Sequence, residues 1–181
     1  MVTDGPIDPA ETLDRVSRRR YLGSVLVGGV LSTAMAGFLA RDLLGRRAFA
    51  NFYDLQARAL LDGRLDVAPG SLGFEAFVVD GQHHLYFPPG PALLRMPLLA
   101  LTDRFDGRLT TVSILAAYVV TLVLLALLMW RVRGVIRPAA PLGRAEAAGY
   151  GVLLVAGTAG STVLFLGSVP YVYHEAYAWA I

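Results

Sequence analysis

Three groups of residues in this 181-residue chain carry side chains fit for chemistry. The first surrounds Asp80-Gly81, where Phe74 to Val79 and Gln82 to Phe87 predict two strands joined by a two-residue type I′ turn. That register pairs Val79 with Gln82, Phe77 with His84 and Glu75 with Tyr86, so Glu75, His84 and Tyr86 share a face. A carboxylate beside an imidazole can move protons or hold a metal, although a solvated polar face is the commoner use of such residues. His83 points to the opposite side of the strand and cannot chelate one ion together with His84. The second group is Arg95 with Arg41, Arg46 and Arg47. A guanidinium offers paired donors to phosphate oxygens, which makes Arg95 and Arg41 candidate lipid-phosphate ligands; a plain interfacial arginine is the alternative. The third is His174 and Glu175, set among Tyr171, Tyr173, Tyr177 and Trp179. They are either functional groups at a membrane edge or part of an aromatic belt. There is no cysteine, which removes thiolate catalysis and thiolate metal sites.

The elements that must position these residues follow from the hydropathy. Apolar residues make up 55% of the chain and charged ones only 17%, a combination that argues against an ordinary soluble domain and excludes disorder. All 16 basic residues are arginine, and the net charge of +2 is too small to suggest nucleic-acid binding. Three uncharged runs, 20 residues from Tyr21 to Ala40, 22 from Leu109 to Trp130 and 27 from Ala147 to Tyr173, are each long enough to cross a bilayer as a helix. The sequence therefore predicts an α-helical integral membrane protein of three transmembrane helices at 21–40, 109–130 and 147–173. Small residues such as Gly28, Gly157, Gly160 and Ser161 suit close helix contacts.

Arginines at 15, 18, 19 and 20, and at 131, 133, 137 and 144, put the N-terminus and the 131–146 connection in the cytoplasm. Segment 41–108 then lies outside the plasma membrane. Residues 1–20 read as a disordered cytoplasmic tail, and 174–181 as an external end or the start of a further helix. Ser17-Arg18-Arg19-Arg20-Tyr21-Leu22 also resembles a twin-arginine export signal, with Ala34-Met35-Ala36 as its cleavage site; either way 41–108 is outside.

The external segment is patterned. Phe52, Leu55, Ala59 and Leu60 recur at three- and four-residue steps, predicting an amphipathic helix from Asn51 to Asp62 with Gly63 as its stop. Pro88, Pro89 and Pro91 follow the hairpin, and Ala92 to Thr102 reads as a second short apolar helix, too short to span. Both helices are expected to lie in the interface, with Arg95 reaching toward lipid phosphate.

Ala57-Arg58-Ala59-Leu60-Leu61-Asp62-Gly63-Arg64-Leu65, then Gly81, Tyr86, Pro88 and Pro89, then Ala92 to Leu101, resemble the first external loop of polytopic GT-C-fold glycosyltransferases of the dolichyl-phosphate-mannose mannosyltransferase and aminoarabinose transferase type. The resemblance covers about residues 20–130 and extends to a group of actinobacterial membrane proteins. It implies sugar transfer from a polyprenyl-phosphate donor, with an acidic residue of the loop as base and a divalent metal allowed in an intact family member. Phe49 and Ala50 stand where the family's acidic pair is expected, which leaves Asp54 and Asp42 as the nearest substitutes. The chain reads as the N-terminal portion of such an enzyme, truncated and expected to transfer no sugar by itself. The alternative is a small non-catalytic membrane protein whose loop binds lipid or a partner protein. No resident cofactor or metal is assigned.

Overall fold

The computed structural model describes residues 9–40, 51–138 and 140–180. Helix α1 (Pro9–Ala40) leads, followed by α2 (Phe52–Leu61), strands β1 (Ala76–Val79) and β2 (Gln82–Leu85), α3 (Gly90–Leu101) and α4 (Thr110–Ile136). Then come α5 (Arg144–Thr158), α6 (Thr162–Ser168) and α7 (Val172–Ala180). The described residues are mostly helical, with one two-stranded sheet among them. Among the described residues two helices, α1 and α4, are long and apolar enough to cross a membrane, or three spans are counted if α5 and α6 form one.

The first expected span is longer than its uncharged run. Helix α1 starts at Pro9, within the stretch expected to be a disordered tail, and Asp14 meets Arg18 one turn later at 2.9 Å. Proline is tolerated in a first helical turn, and an acid four residues before an arginine supports the helix. The third expected span is broken: α5 and α6 are bent by 63°. At the break, Ser161 caps α6 through a bond from the Val163 amide at 3.3 Å. Pro170 then ends α6, holding Val169 in extended backbone. The uncharged run from Ala147 to Tyr173 is thus divided among α5, α6 and the first two residues of α7.

Among the described residues the apolar side chains gather in two cores. One joins Tyr21 and Val25 of α1 to Tyr118 and Leu122 of α4 and Leu154 of α5. One of its tight points is the crossing of α1 and α5 at Gly28 and Gly151. A Cβ on Gly28 would stand 2.7 Å from the Gly151 carbonyl oxygen, and one on Gly151 would stand 2.8 Å from that of Ser24. Gly157 is also close-packed, a Cβ there lying 3.1 Å from Leu125. Polar ties accompany this packing: Thr158 Oγ1 donates to Ser32 Oγ at 3.1 Å, and Arg20 to the Leu142 carbonyl at 2.8 Å.

The second core belongs to the 51–109 unit and gathers Phe52, Tyr53, Leu72, Phe87, Leu99 and Val172. Burying a side chain such as Leu72 or Leu99 contributes roughly 1.5–3 kcal/mol. Val172 comes from α7, so the last helix is built into this unit.

Local signals inside the unit are obeyed. Asp80 and Gly81 have φ of 49° and 78°, the two positive values a type I′ turn requires. The register pairs Val79 with Gln82 and Phe77 with His84, as the turn predicts. The strands are shorter than expected, because Gly73–Glu75 winds into a 3₁₀ turn before β1. Gly63, at φ 71°, ends α2, and the Arg64 amide bonds back to the Ala59 carbonyl at 2.8 Å. Asn51 caps through its backbone carbonyl, which accepts from Asp54 and Leu55, and makes no side-chain cap. Helix α3 begins two residues earlier than predicted, with Pro91 in its first turn, and contains Pro97 without breaking.

Candidate functional site: a buried Asp54–Arg95–Glu175 cluster

Asp54 sits in the first turn of α2, Arg95 in the middle of α3 and Glu175 early in α7. The three meet at the head of α4. Arg95 Nη1 donates to Asp54 Oδ1 at 2.5 Å, and Nη2 donates to both carboxylate oxygens of Glu175, reaching Oε2 at 2.6 Å. Nη2 also reaches Thr110 Oγ1, on the first residue of α4, at 3.2 Å. The second oxygen of Asp54 accepts from the Gly107 amide at 2.7 Å. The Tyr53 ring lies under the guanidinium, 5.6 Å from centroid to Cζ.

All three charged side chains are removed from solvent: Asp54 is 3% exposed, Arg95 4% and Glu175 0%. This corrects the expectation that Arg95 reaches toward lipid phosphate. An arginine in the middle of a helix that packs against α2 is better satisfied by two carboxylates than by a headgroup it would have to leave the core to meet. The exposed face of α3 is carried by Leu93, Leu94, Leu98 and Leu101 instead.

Two carboxylates share one guanidinium, so the fully ionised cluster would bury a net negative charge. Burial therefore pushes the Glu175 carboxyl above its ordinary value, against the pull of Arg95. Asp54 is pushed up by the same desolvation, again opposed by Arg95. The cluster is neutral when it holds one proton. That proton belongs to the pair rather than to either residue. Tyr53, pushed up by burial and then by the charge of Glu175, stays protonated, and its hydroxyl is buried without a partner among the described residues.

The other candidates are dispersed. Glu75 and Tyr86 do meet, at 2.8 Å, although Glu75 lies outside β1; there they join Tyr173 of α7. His84 leaves them and its Nδ1 approaches the Leu65 carbonyl at 3.2 Å. His174 faces the Phe165 ring at 4.9 Å, and burial lowers its pKa, which keeps the imidazole neutral at pH 7. Asp42 and Arg41, with Arg46, Arg47, Phe49 and Ala50, lie outside the described residues. Among the described residues no three His, Asp or Glu side chains come together as metal ligands. Nor does the donor set of the cluster fit a divalent cation, since the guanidinium occupies the space between the two carboxylates.

Sequence reasoning named Asp54, Arg95 and Glu175 separately and had no means of joining them. Glu175 lies 80 positions from Arg95, and no periodicity spans that distance. It missed Thr110, Gly107 and Tyr53. It also missed Arg58, which anchors α2 to the segment before α4 through Asp103 at 2.6 Å, Asp106 at 2.8 Å and the Leu99 carbonyl at 2.7 Å. The only available signal for Arg58 was a helix-borne arginine followed by two acids in the turn that leads to a span.

Away from the cluster, α1 and α4 enclose an apolar groove of about 770 Å³, lined by Leu22, Val25, Val30, Leu122, Val123 and Trp130. Comparison with known proteins returns no family model, no curated protein and no solved structure that matches the chain.

Proposed function

We propose that the chain is an integral protein of the plasma membrane, with its N-terminus in the cytoplasm and its 51–109 unit outside. It acts as the N-terminal portion of a polyprenyl-phosphate-sugar-dependent glycosyltransferase of the GT-C type. The observation that carries this reading is the pair of carboxylates on one arginine at the head of α4. Two acids whose environment raises their pKa and lets them share a proton form an acid–base device poised nearer neutrality than a free carboxylate. With the proton on Glu175, Asp54 is the ionised member and takes the proton of the acceptor hydroxyl. The acceptor oxygen then bonds to the anomeric carbon as the sugar–phosphate bond breaks and the lipid phosphate leaves. Arg95 sets the position of both carboxylates. The apolar groove between α1 and α4 supports contact with lipid chains in this reading.

One observation favours a second reading, a non-catalytic membrane protein whose loop unit binds lipid or a partner. Both oxygens of Asp54 are engaged, and it is 3% exposed, as befits a tie between helices. Transfer from a radiolabelled polyprenyl-phosphate sugar separates the two, measured in membranes of cells expressing the uninterrupted reading frame. Asp54→Asn leaves Arg95 paired with Glu175 and is expected to lower transfer by about 100-fold. Asp62→Asn, at the exposed end of α2, is expected to leave the rate near wild type. Equal, small effects would remove Asp54 from the chemistry and favour the second reading.

A further inference from the structure

We propose that Glu75, Tyr86 and Tyr173 form a binding subsite for the hydroxyl groups of a neutral pyranose. Tyr86 Oη and Tyr173 Oη both donate to Glu75 Oε2, at 2.8 and 2.6 Å, and lie 2.9 Å from each other. Both phenols converge on Oε2, so Oε1 is the carboxylate oxygen they leave to a ligand. The three residues come from the 3₁₀ turn, the end of the hairpin and α7, separated by 11, 87 and 98 positions. Tertiary structure therefore sets their arrangement. Phe87 holds the rings in place: its centroid is 4.3 Å from that of Tyr86 and 5.0 Å, edge on, from that of Tyr173.

Chemistry selects the ligand class. Tyr86 and Tyr173 are 52% and 40% exposed, so the part of each ring that Phe87 does not cover can meet the C–H face of a sugar ring. An ionised carboxylate repels phosphate and other anions, which excludes a lipid headgroup phosphate as the occupant. The two phenols already offset part of the carboxylate charge on Oε2, so the remaining demand is for a neutral hydrogen-bond donor. The tyrosines meet tip to tip at their hydroxyls, an arrangement that gives a platform and not a cage closing around a cation. A membrane-belt tyrosine turns its hydroxyl toward water and headgroups; Tyr173 turns its own onto a carboxylate.

The inference deepens the glycosyltransferase reading by naming a polyhydroxylated acceptor. It is tested by binding alone, so the two fail separately. Saturation-transfer NMR on the purified full chain in nanodiscs, with methyl α-mannopyranoside and methyl β-glucopyranoside as probes, should show saturable binding on the order of millimolar. Glu75→Gln and Tyr173→Phe should each weaken it by about tenfold, the loss of one hydrogen bond to a charged group. Asp62→Asn should not change it. Tyr173→Phe keeps the ring and its contact with Phe87, so it reports on the hydroxyl even if Glu75→Gln fails to fold. No saturable binding, binding unaltered by either variant, or preferential binding of tetramethylammonium would each overturn the subsite. Binding by the chain, together with no glycosyl transfer in membranes expressing the uninterrupted reading frame, would sink the enzyme reading and leave the subsite standing.

Discussion

At the scale of single residues, Arg95 is the side chain on which most depends. It satisfies two buried carboxylates and a threonine hydroxyl from three different helices. Arg95→Met should destabilise the 51–109 unit by roughly 3–5 kcal/mol, since both acids lose their counter-charge inside the protein. Limited proteolysis across Asn51 to Arg108 reads this directly. Arg95→Lys should recover little, because one ammonium cannot reproduce the fork that reaches Asp54 and Glu175 at once. The pH dependence has a definite sign. A carboxyl whose folded pKa is raised contributes stability that is complete below its unfolded value and is lost as pH climbs through the folded one. With Asp54 and Glu175 both raised by burial, stability should fall as pH rises above the ordinary carboxylate range. Glu175→Gln should flatten that fall in thermal melts taken across the range, because it makes the neutral form permanent; an unchanged slope would place the proton elsewhere.

At the scale of elements, short-range signals in the sequence were sufficient where the backbone itself was the constraint. Asp80-Gly81 set both the turn and the register, and Gly63 set the end of α2. At Gly81 a Cβ would meet nothing within 4 Å, so the cost of replacing it is purely conformational. Gly81→Val should therefore loosen the hairpin, since a β-branched residue at φ 78° is strained by about 1–2 kcal/mol. Faster cleavage between Val79 and Gln82 by a non-specific protease is the expected outcome, and equal resistance would argue against the strain. The sequence was least informative where a break depends on several weak preferences together. The bend between α5 and α6 is one case: the run crosses Gly160, Ser161 and Pro170 with no charge to mark the break. Arg95 is the other, because length and apolarity marked α3 as interfacial while its buried face depended on partners far along the chain.

At the scale of the whole molecule, composition was enough to predict helices able to cross a membrane, and the packing between them rested on glycines whose partners composition cannot name. Gly28 was legible as a small residue; Gly151 as its counterpart was not, since 123 positions separate the two. Gly151→Val should force α1 and α5 apart, because its Cβ would press on the backbone oxygen of Ser24 and neither helix backbone can yield locally. A fall in thermal stability of about 1–3 kcal/mol is the expected size for such overpacking. Gly149→Val, at a glycine of the same helix with open space around it, is the control and should stay near wild type. Equal melting of both variants would show that the crossing tolerates separation.

The dependence of the Asp54–Arg95 pair on Glu175 also has a consequence in time. The ribosome delivers Glu175 80 residues after Arg95. At about 5–20 residues per second the interval between them is roughly 4–16 s. Throughout it, Asp54 and Arg95 are an evenly matched pair, one negative and one positive charge, and α2 can settle on α3 without help. The second acid arrives at an arginine already neutralised, and it can enter only by bringing its own proton or by displacing Asp54 in part. Synthesis thus passes from a balanced two-residue state to a three-residue state whose burial favours taking up a proton. The acidity of the compartment in which α7 docks then governs how readily the last helix closes onto the rest.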